Sequence, residues 1–137
     1  MTPQDIALVK STFALVKPIS EQAAELFYGR LFEIAPHVKP LFKGDMKEQG
    51  RKLMATLGTV VASLDNLGPV LPVASDLAKR HVGYGVKAAD YTVVGEALLW
   101  TLEKGLGNAW TAQAKAAWTA AYTTLSTFMI AEAYPAA

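Results

Sequence analysis

Asp76-Leu77-Ala78-Lys79-Arg80-His81-Val82-Gly83-Tyr84-Gly85-Val86 is the stretch from which the rest of the chain can be read. It is one or two amphipathic helical turns that end in a double-glycine corner. It carries one of only two histidines in the sequence. Leu77 lies four residues before His81 and so shares its helical face. An apolar neighbour one turn back lets a flat apolar ligand lie against the helix. The Leu77 carbonyl can also accept the second ring N–H of His81, which fixes the tautomer that a metal-ligating histidine requires. Val86, beyond the corner, can line the same surface. The other reading of these residues is a histidine at a helix C-terminus, where its cation is favoured by the helix dipole. On this stretch alone the second reading is the better one.

The totals set the frame. A chain of 137 residues is read as one domain over 1–137, large enough for a real core. It is 52% hydrophobic and 18% charged, which leaves apolar surface that a buried cofactor, an oligomer interface or an ordinary alanine-rich core could use. Thirteen basic and twelve acidic residues are interspersed, for a net charge of +1. No basic stripe appears, so nucleic-acid binding is not expected. Cysteine is absent, which excludes disulfides, zinc–cysteine sites, iron–sulfur clusters and thiolate nucleophiles, and is compatible with a cytoplasmic setting. Residues 1–17 carry Asp5, Lys10 and Lys17 and no long apolar block, so no secretory signal is read there. Residues 116–131 have no formal charge, but five Ser/Thr and a length of sixteen suit a buried helix better than a membrane span.

Helical periodicity dominates the chain. Thr2-Pro3-Gln4-Asp5 is a helix start, with Thr2 as cap, and Pro18 ends that helix. Ser20-Glu21-Gln22 restarts it, and Pro36 closes the second. On that helix Tyr28 stands at the edge of a buried face, where its hydroxyl needs a partner. Ala35–Phe42, doubly interrupted by proline, reads as a short turn of helix. The next helix is expected from about Met46 to Asn66. Gly50 inside it suggests close approach of another helix, with Ala24 as the expected partner. Pro72 is expected to delay the following helix to about Ser75, its N-cap, and Gly83 and Gly85 end it. Asp90 and Thr111 are expected to cap the last two helices, to about Leu106 and Ala133. About seven helices result.

Hydrolase and nucleotide-loop motifs are missing: there is no Gly-x-Ser-x-Gly, phosphate loop or dinucleotide fingerprint. His37, between two prolines, reads as an exposed residue of a surface turn. Gln49 and Leu53 share a helical face, one an amide and the other a smooth apolar surface. Such a pair suits a dry pocket with a single polar handle; an exposed helix-start residue is the other reading of Gln49. Phe42, just before the loop, is a natural flat wedge.

In order along the chain, Leu26-Phe27-Tyr28, Pro40-Leu41-Phe42, Gln49-x-x-x-Leu53-Met54, Lys79-Arg80-His81, Tyr84-Gly85-Val86, Tyr91-x-x-Val94-Gly95-Glu96-Ala97-Leu98-Leu99, Ala116-Ala117-Trp118 and Glu132 resemble the globins. The resemblance is to bacterial single-domain haemoglobins and the haem domain of flavohaemoglobins, and it runs from about residue 3 to 134. It implies an all-α globin fold of about seven helices around one non-covalent haem b; Cys-x-x-Cys-His, needed for covalent c-type attachment, is absent.

Residue by residue, the resemblance implies His81 as the proximal iron ligand and Phe42 as the phenylalanine packed on the porphyrin. Leu77, Val86 and Val94 are implied as further haem contacts, and Arg80 as the candidate propionate partner. Tyr28 and Gln49 are implied as distal hydrogen-bond donors, with Leu53 as the apolar wall over the iron. Tyr91 and Glu132 resemble the proximal partners that form a hydrogen-bonded set with the histidine, making it more basic. The implied function is reversible binding of dioxygen, and of NO and CO, as an oxygen-binding or transport haemoglobin of a bacterial cytoplasm. The alternative is an enzyme, a nitric oxide dioxygenase. Because the sequence stops at Ala137, without flavin and nicotinamide segments, such turnover is expected to use a separate reductase, and no signalling output domain is expected. A haem-free helical interaction protein is the third class.

Overall fold

The computed structural model describes residues 2–42, 44–83 and 85–133. Six α-helices are found among them: α1 (Pro3–Val16), α2 (Ser20–Ile34), α3 (Met46–Ala62), α4 (Leu71–Gly83), α5 (Asp90–Leu106) and α6 (Ala112–Ala133). Short 3₁₀ turns at Lys17–Ile19, Pro36–Leu41, Gly68–Val70 and Gly107–Ala109 link them, and the described residues contain no strand. The proline-interrupted turn at 36–41 accounts for the expected seventh helix.

The helix ends follow from local chemistry. Thr2 and Asp5 form a reciprocal capping box at 3.1 Å on both bonds. The Thr111 hydroxyl accepts from the Ala114 N–H at 3.0 Å and opens α6. Gly107, at φ +53°, closes α5. At the end of α4, the Val86 N–H donates to the His81 carbonyl and the Gly85 N–H to the Val82 carbonyl, both at 3.0 Å. This is a Schellman cap, and its left-handed residue is Gly85 at φ +94°. The glycine corner therefore fixes where the histidine's helix stops.

Three expectations fail here. Asp90, expected to cap α5, is its first residue; the N-cap is Ala89, with no side-chain cap bond. The third helix ends at Ala62, not Asn66. α4 begins at Leu71, not Ser75: Pro72 sits in its first turn, where a missing N–H breaks no bond, so it does not delay the helix. Ser75 is accordingly inside the helix and buried, and does not cap it.

The main core is built by α2 on α5 and α1 on α6. Val9, Phe13, Leu31, Leu98, Leu102 and Trp118 are among its buried side chains. The Trp118 indole N–H donates to the Thr12 hydroxyl at 2.8 Å, so the buried polar atoms satisfy one another. α4 differs. It packs on α6 and on the turn before it, and makes almost no approach to α2 or α3 among the described residues. Ala74, Ala78, Tyr91 and Met129 form a second, smaller buried cluster on that side, joined by half-buried Leu77, Val86 and Ala133. The helix carrying His81 thus has little direct packing on the helices carrying Tyr28, Gln49 and Leu53 among the described residues. No helix of the described residues is long and apolar enough to cross a membrane.

Candidate functional site

His81 lies in the last turns of α4, half-buried. Its Nδ1 is 2.7 Å from the Leu77 carbonyl. A carbonyl only accepts, so Nδ1 carries the hydrogen and the lone pair is on Nε2. Burial pushes the imidazole below its ordinary pKa; the Leu77 carbonyl opposes this and the Arg80 cation adds to it. The ring is therefore neutral near pH 7, the form that ligates metal. The Tyr91 ring stacks beside it, with centroids 6.3 Å apart and planes 28° from parallel. Tyr91 is held in turn by Tyr122, whose hydroxyl donates to the Tyr91 carbonyl at 2.6 Å. Tyr122 comes this close because position 95 is glycine: a Cβ there would stand 2.7 Å from its ring. Sequence reasoning missed Tyr122; the glycine inside α5 was its available signal.

On α2, the phenol of Tyr28 is buried and its pKa is raised to about 12 by desolvation. It donates to the backbone carbonyl of Gln49 at 3.4 Å, not to the side-chain amide. Phe42 meets the Tyr28 ring edge-on at 5.3 Å and Phe32, also missed, closes the triangle at 6.0 and 5.4 Å. Gln49 and Leu53 are half-buried, one turn apart on α3. Leu53 and Val94 pack against the main core, and Leu77 and Val86 against the smaller cluster. The corner after Phe42 is joined to the corner after His81 by Leu41, whose Cδ2 lies 3.2 Å from where a Cβ on Gly85 would be.

Arg80 and Lys79 are exposed on α4, and Lys52 is exposed with Glu48 3.9 Å away. Glu132 is not brought to His81 or Tyr91. Its carboxylate accepts from the Ser75 hydroxyl at 2.9 Å, and the residue is exposed. Ser75 is six residues before His81, about 9 Å along the helix. The reason is rotational: Ala133, about 100° further round α6, is the residue that packs against the small cluster containing Tyr91. His37 is exposed as expected, but it also pairs with Asp90 at 2.9 Å.

A haem is the group these residues fit. Among the described residues no three His, Asp or Glu side chains converge as a metal cage. A metal held on His81 would need a group that brings its own ligands, as a macrocycle does. The neutral imidazole, its fixed tautomer, and half-buried Leu53, Leu77, Val86 and Val94 suit an apolar cofactor.

The described residues thus define an all-α protein with a tautomer-fixed histidine near the end of α4. Comparison with known proteins narrows this. The globin family profile matches residues 25–129, and the chain belongs to the globin family. It is 33% identical over 133 residues to the flavohemoprotein of Bordetella parapertussis, covering 95% of this chain and 33% of that one. To the flavohemoprotein of Vibrio cholerae it is 29% identical over 133 residues, covering 95% of this chain and 34% of that one. The chain thus spans about a third of the length of the curated relatives it matches. A solved bacterial globin of Campylobacter jejuni superposes with a TM-score of 0.84 at 26% identity, covering 96% of each chain.

Proposed function

We propose that the chain holds one non-covalent haem b on His81 and reversibly binds dioxygen, NO and CO on the side facing Tyr28 and Gln49, in a bacterial cytoplasm. The observation that carries this is the His81–Leu77 bond, which sets the lone pair on Nε2 on a helix that stands off from α2 and α3. Bound there, the haem supplies an iron that takes a diatomic ligand. His81 holds the metal and Leu77 orients His81. Phe42, Leu53, Leu77, Val86 and Val94 supply apolar contact and exclude water. Arg80, exposed on the same helix, is the proposed propionate partner.

The distal donors work by exchange. The Tyr28 hydroxyl spends its hydrogen on a carbonyl at 3.4 Å, a long bond. An acceptor on a diatomic ligand displaces that contact at small cost. Each hydrogen bond to the ligand is worth about 1 kcal/mol net, more when charge-assisted. That favours dioxygen over carbon monoxide.

The second reading, a nitric oxide dioxygenase working with a reductase, draws on the flavohemoprotein relatives. Glu132 separates the two readings. A carboxylate on the histidine would make it more basic and suit redox turnover. With that carboxylate on Ser75 and a neutral carbonyl on His81, reversible binding is the better supported role. The experiment is a pair: oxygen association and dissociation rates, and nitric oxide consumption over many turnovers with a cellular reductase. Reversible oxygen binding without sustained turnover supports the proposal; sustained turnover moves the assignment to the enzyme.

A further inference from the structure

One side-chain pair outside the site crosses between its two halves. His37, in the 36–41 turn, is about two-thirds exposed, and its Nε2 lies 2.9 Å from Oδ1 of Asp90, whose side chain is 10% exposed. The other carboxylate oxygen accepts the Lys87 N–H at 2.9 Å, while the Asp90 N–H donates back to the Lys87 carbonyl at 3.0 Å. Asp90 thereby closes the connection from α4 to α5. Burial works to raise its carboxyl, but the Lys87 N–H, the His37 hydrogen bond and the favourable electrostatics of His37 and Lys87 together hold it below the usual range.

Both ends of this pair lead to the site. His37 opens the turn that delivers Leu41 and Phe42, and Leu41 rests on Gly85 in the same connection. Asp90 directly precedes Tyr91, which stacks on His81, and Val86 in that connection donates to the His81 carbonyl. α4 has almost no packing of its own on α2 or α3. Its placement relative to the Phe42 corner therefore depends on α6 and on what ties the connection down.

We propose that His37 and Asp90 are positioning residues for the haem site: a clasp that fixes the α4–α5 connection, and with it Tyr91 and His81, against the corner bearing Phe42. This rests on the haem reading above. With His37 largely exposed, the pair adds little to global stability. Its role is directional, because both carboxylate oxygens are used: one holds the α4–α5 connection at Lys87 and the other ties it to the 36–41 turn at His37. The exposure of His37 also makes the test clean, since replacing it opens no core.

The test uses the full chain reconstituted with haem, as wild type, His37→Ala and His37→Gln; the glutamine amide reaches as far as Nε2 and can donate in its place. Two readouts are taken on the haem protein: the rate of haem transfer to excess apomyoglobin, and the iron–histidine stretching band of the ferrous form. His37→Ala is expected to speed haem loss about fivefold, the factor one net hydrogen bond represents, and to shift or broaden the band. His37→Gln is expected to return both close to wild type. An alanine variant with wild-type rate and band overturns the clasp, as does a glutamine variant no better than alanine. A third readout needs no haem: the Asp90 carboxyl, followed by ¹³C NMR, is expected to titrate at higher pH in His37→Ala. A wild-type chain that takes up no haem overturns the haem reading and the positioning role together. The Asp90 titration still reports whether the pair itself forms, so the two failures are told apart.

Discussion

Gly50 of α3 meets Ala24 of α2 so closely that a Cβ at position 50 would stand 2.9 Å from the Ala24 methyl. This contact sets how near α3 lies to α2, and therefore where Gln49 and Leu53 stand relative to Tyr28. It also explains why a helix tolerates a residue that costs about 1 kcal/mol there against alanine. Gly50→Val should destabilise by about 1–3 kcal/mol through overpacking, because the opposing atom belongs to a short, rigid side chain. Ala24→Gly should recover part of that loss in the double variant. Urea unfolding of the four proteins of this cycle measures it. A valine variant as stable as wild type would mean that the helices do not approach this closely.

Replacing both distal donors, Tyr28→Phe with Gln49→Leu, should raise the oxygen dissociation rate about tenfold, the loss of one to two ligand hydrogen bonds. Stopped-flow or flash photolysis reads it. Because the Tyr28 hydroxyl bonds only a backbone carbonyl at 3.4 Å, the cost to folding should stay near or below about 1 kcal/mol. An unchanged off-rate would show that neither donor reaches the ligand.

Glu132→Ala should leave the iron–histidine stretching band where it is, since the carboxylate bonds Ser75 and not His81. A downward shift of that band would place Glu132 in the proximal set after all. The variant should lose no more than about 1 kcal/mol of stability, the usual value of one hydrogen bond.

The pH dependence has a definite sign. The His81 pKa is lowered on folding, chiefly by burial, so between its folded value and its ordinary value near 6.5 the unfolded chain binds the proton and the folded chain does not. The contribution is fully present above about 6.5, the model-peptide value, and is lost as pH falls through the folded value. Acid also fills the Nε2 lone pair. Haem retention, followed by gel filtration, should therefore fall on the acid side of 6.5 and hold steady from there to about pH 8. Loss of haem on raising the pH across that range would contradict the neutral-imidazole assignment.

Much of the fold was legible because it is written in local chemistry. The Thr2–Asp5 box, the Thr111 cap, the Gly83–Gly85 stop and the Gly50–Ala24 approach each follow from residue type and spacing. The His81–Leu77 bond was equally readable, being one helical turn. What escaped depended on contacts across the chain. Proline at 72 looks the same to a sequence reader whether it precedes a helix or sits in its first turn. Tyr122 reaches Tyr91 across 31 residues, and His37 reaches Asp90 across 53. Glu132 shows the sharpest limit: one residue of register on a helix turns a side chain by about 100°, enough to carry it from one partner to another.

The absorption spectrum of the purified protein, reconstituted with haem and compared with His81→Ala, tests the central claim most directly. The wild type should show an intense Soret band that shifts sharply when carbon monoxide is added to the reduced form, and His81→Ala should lose stable haem. No Soret band after haem is added back, or an alanine variant that keeps haem with an unchanged spectrum, would contradict the assignment of His81 as the iron ligand.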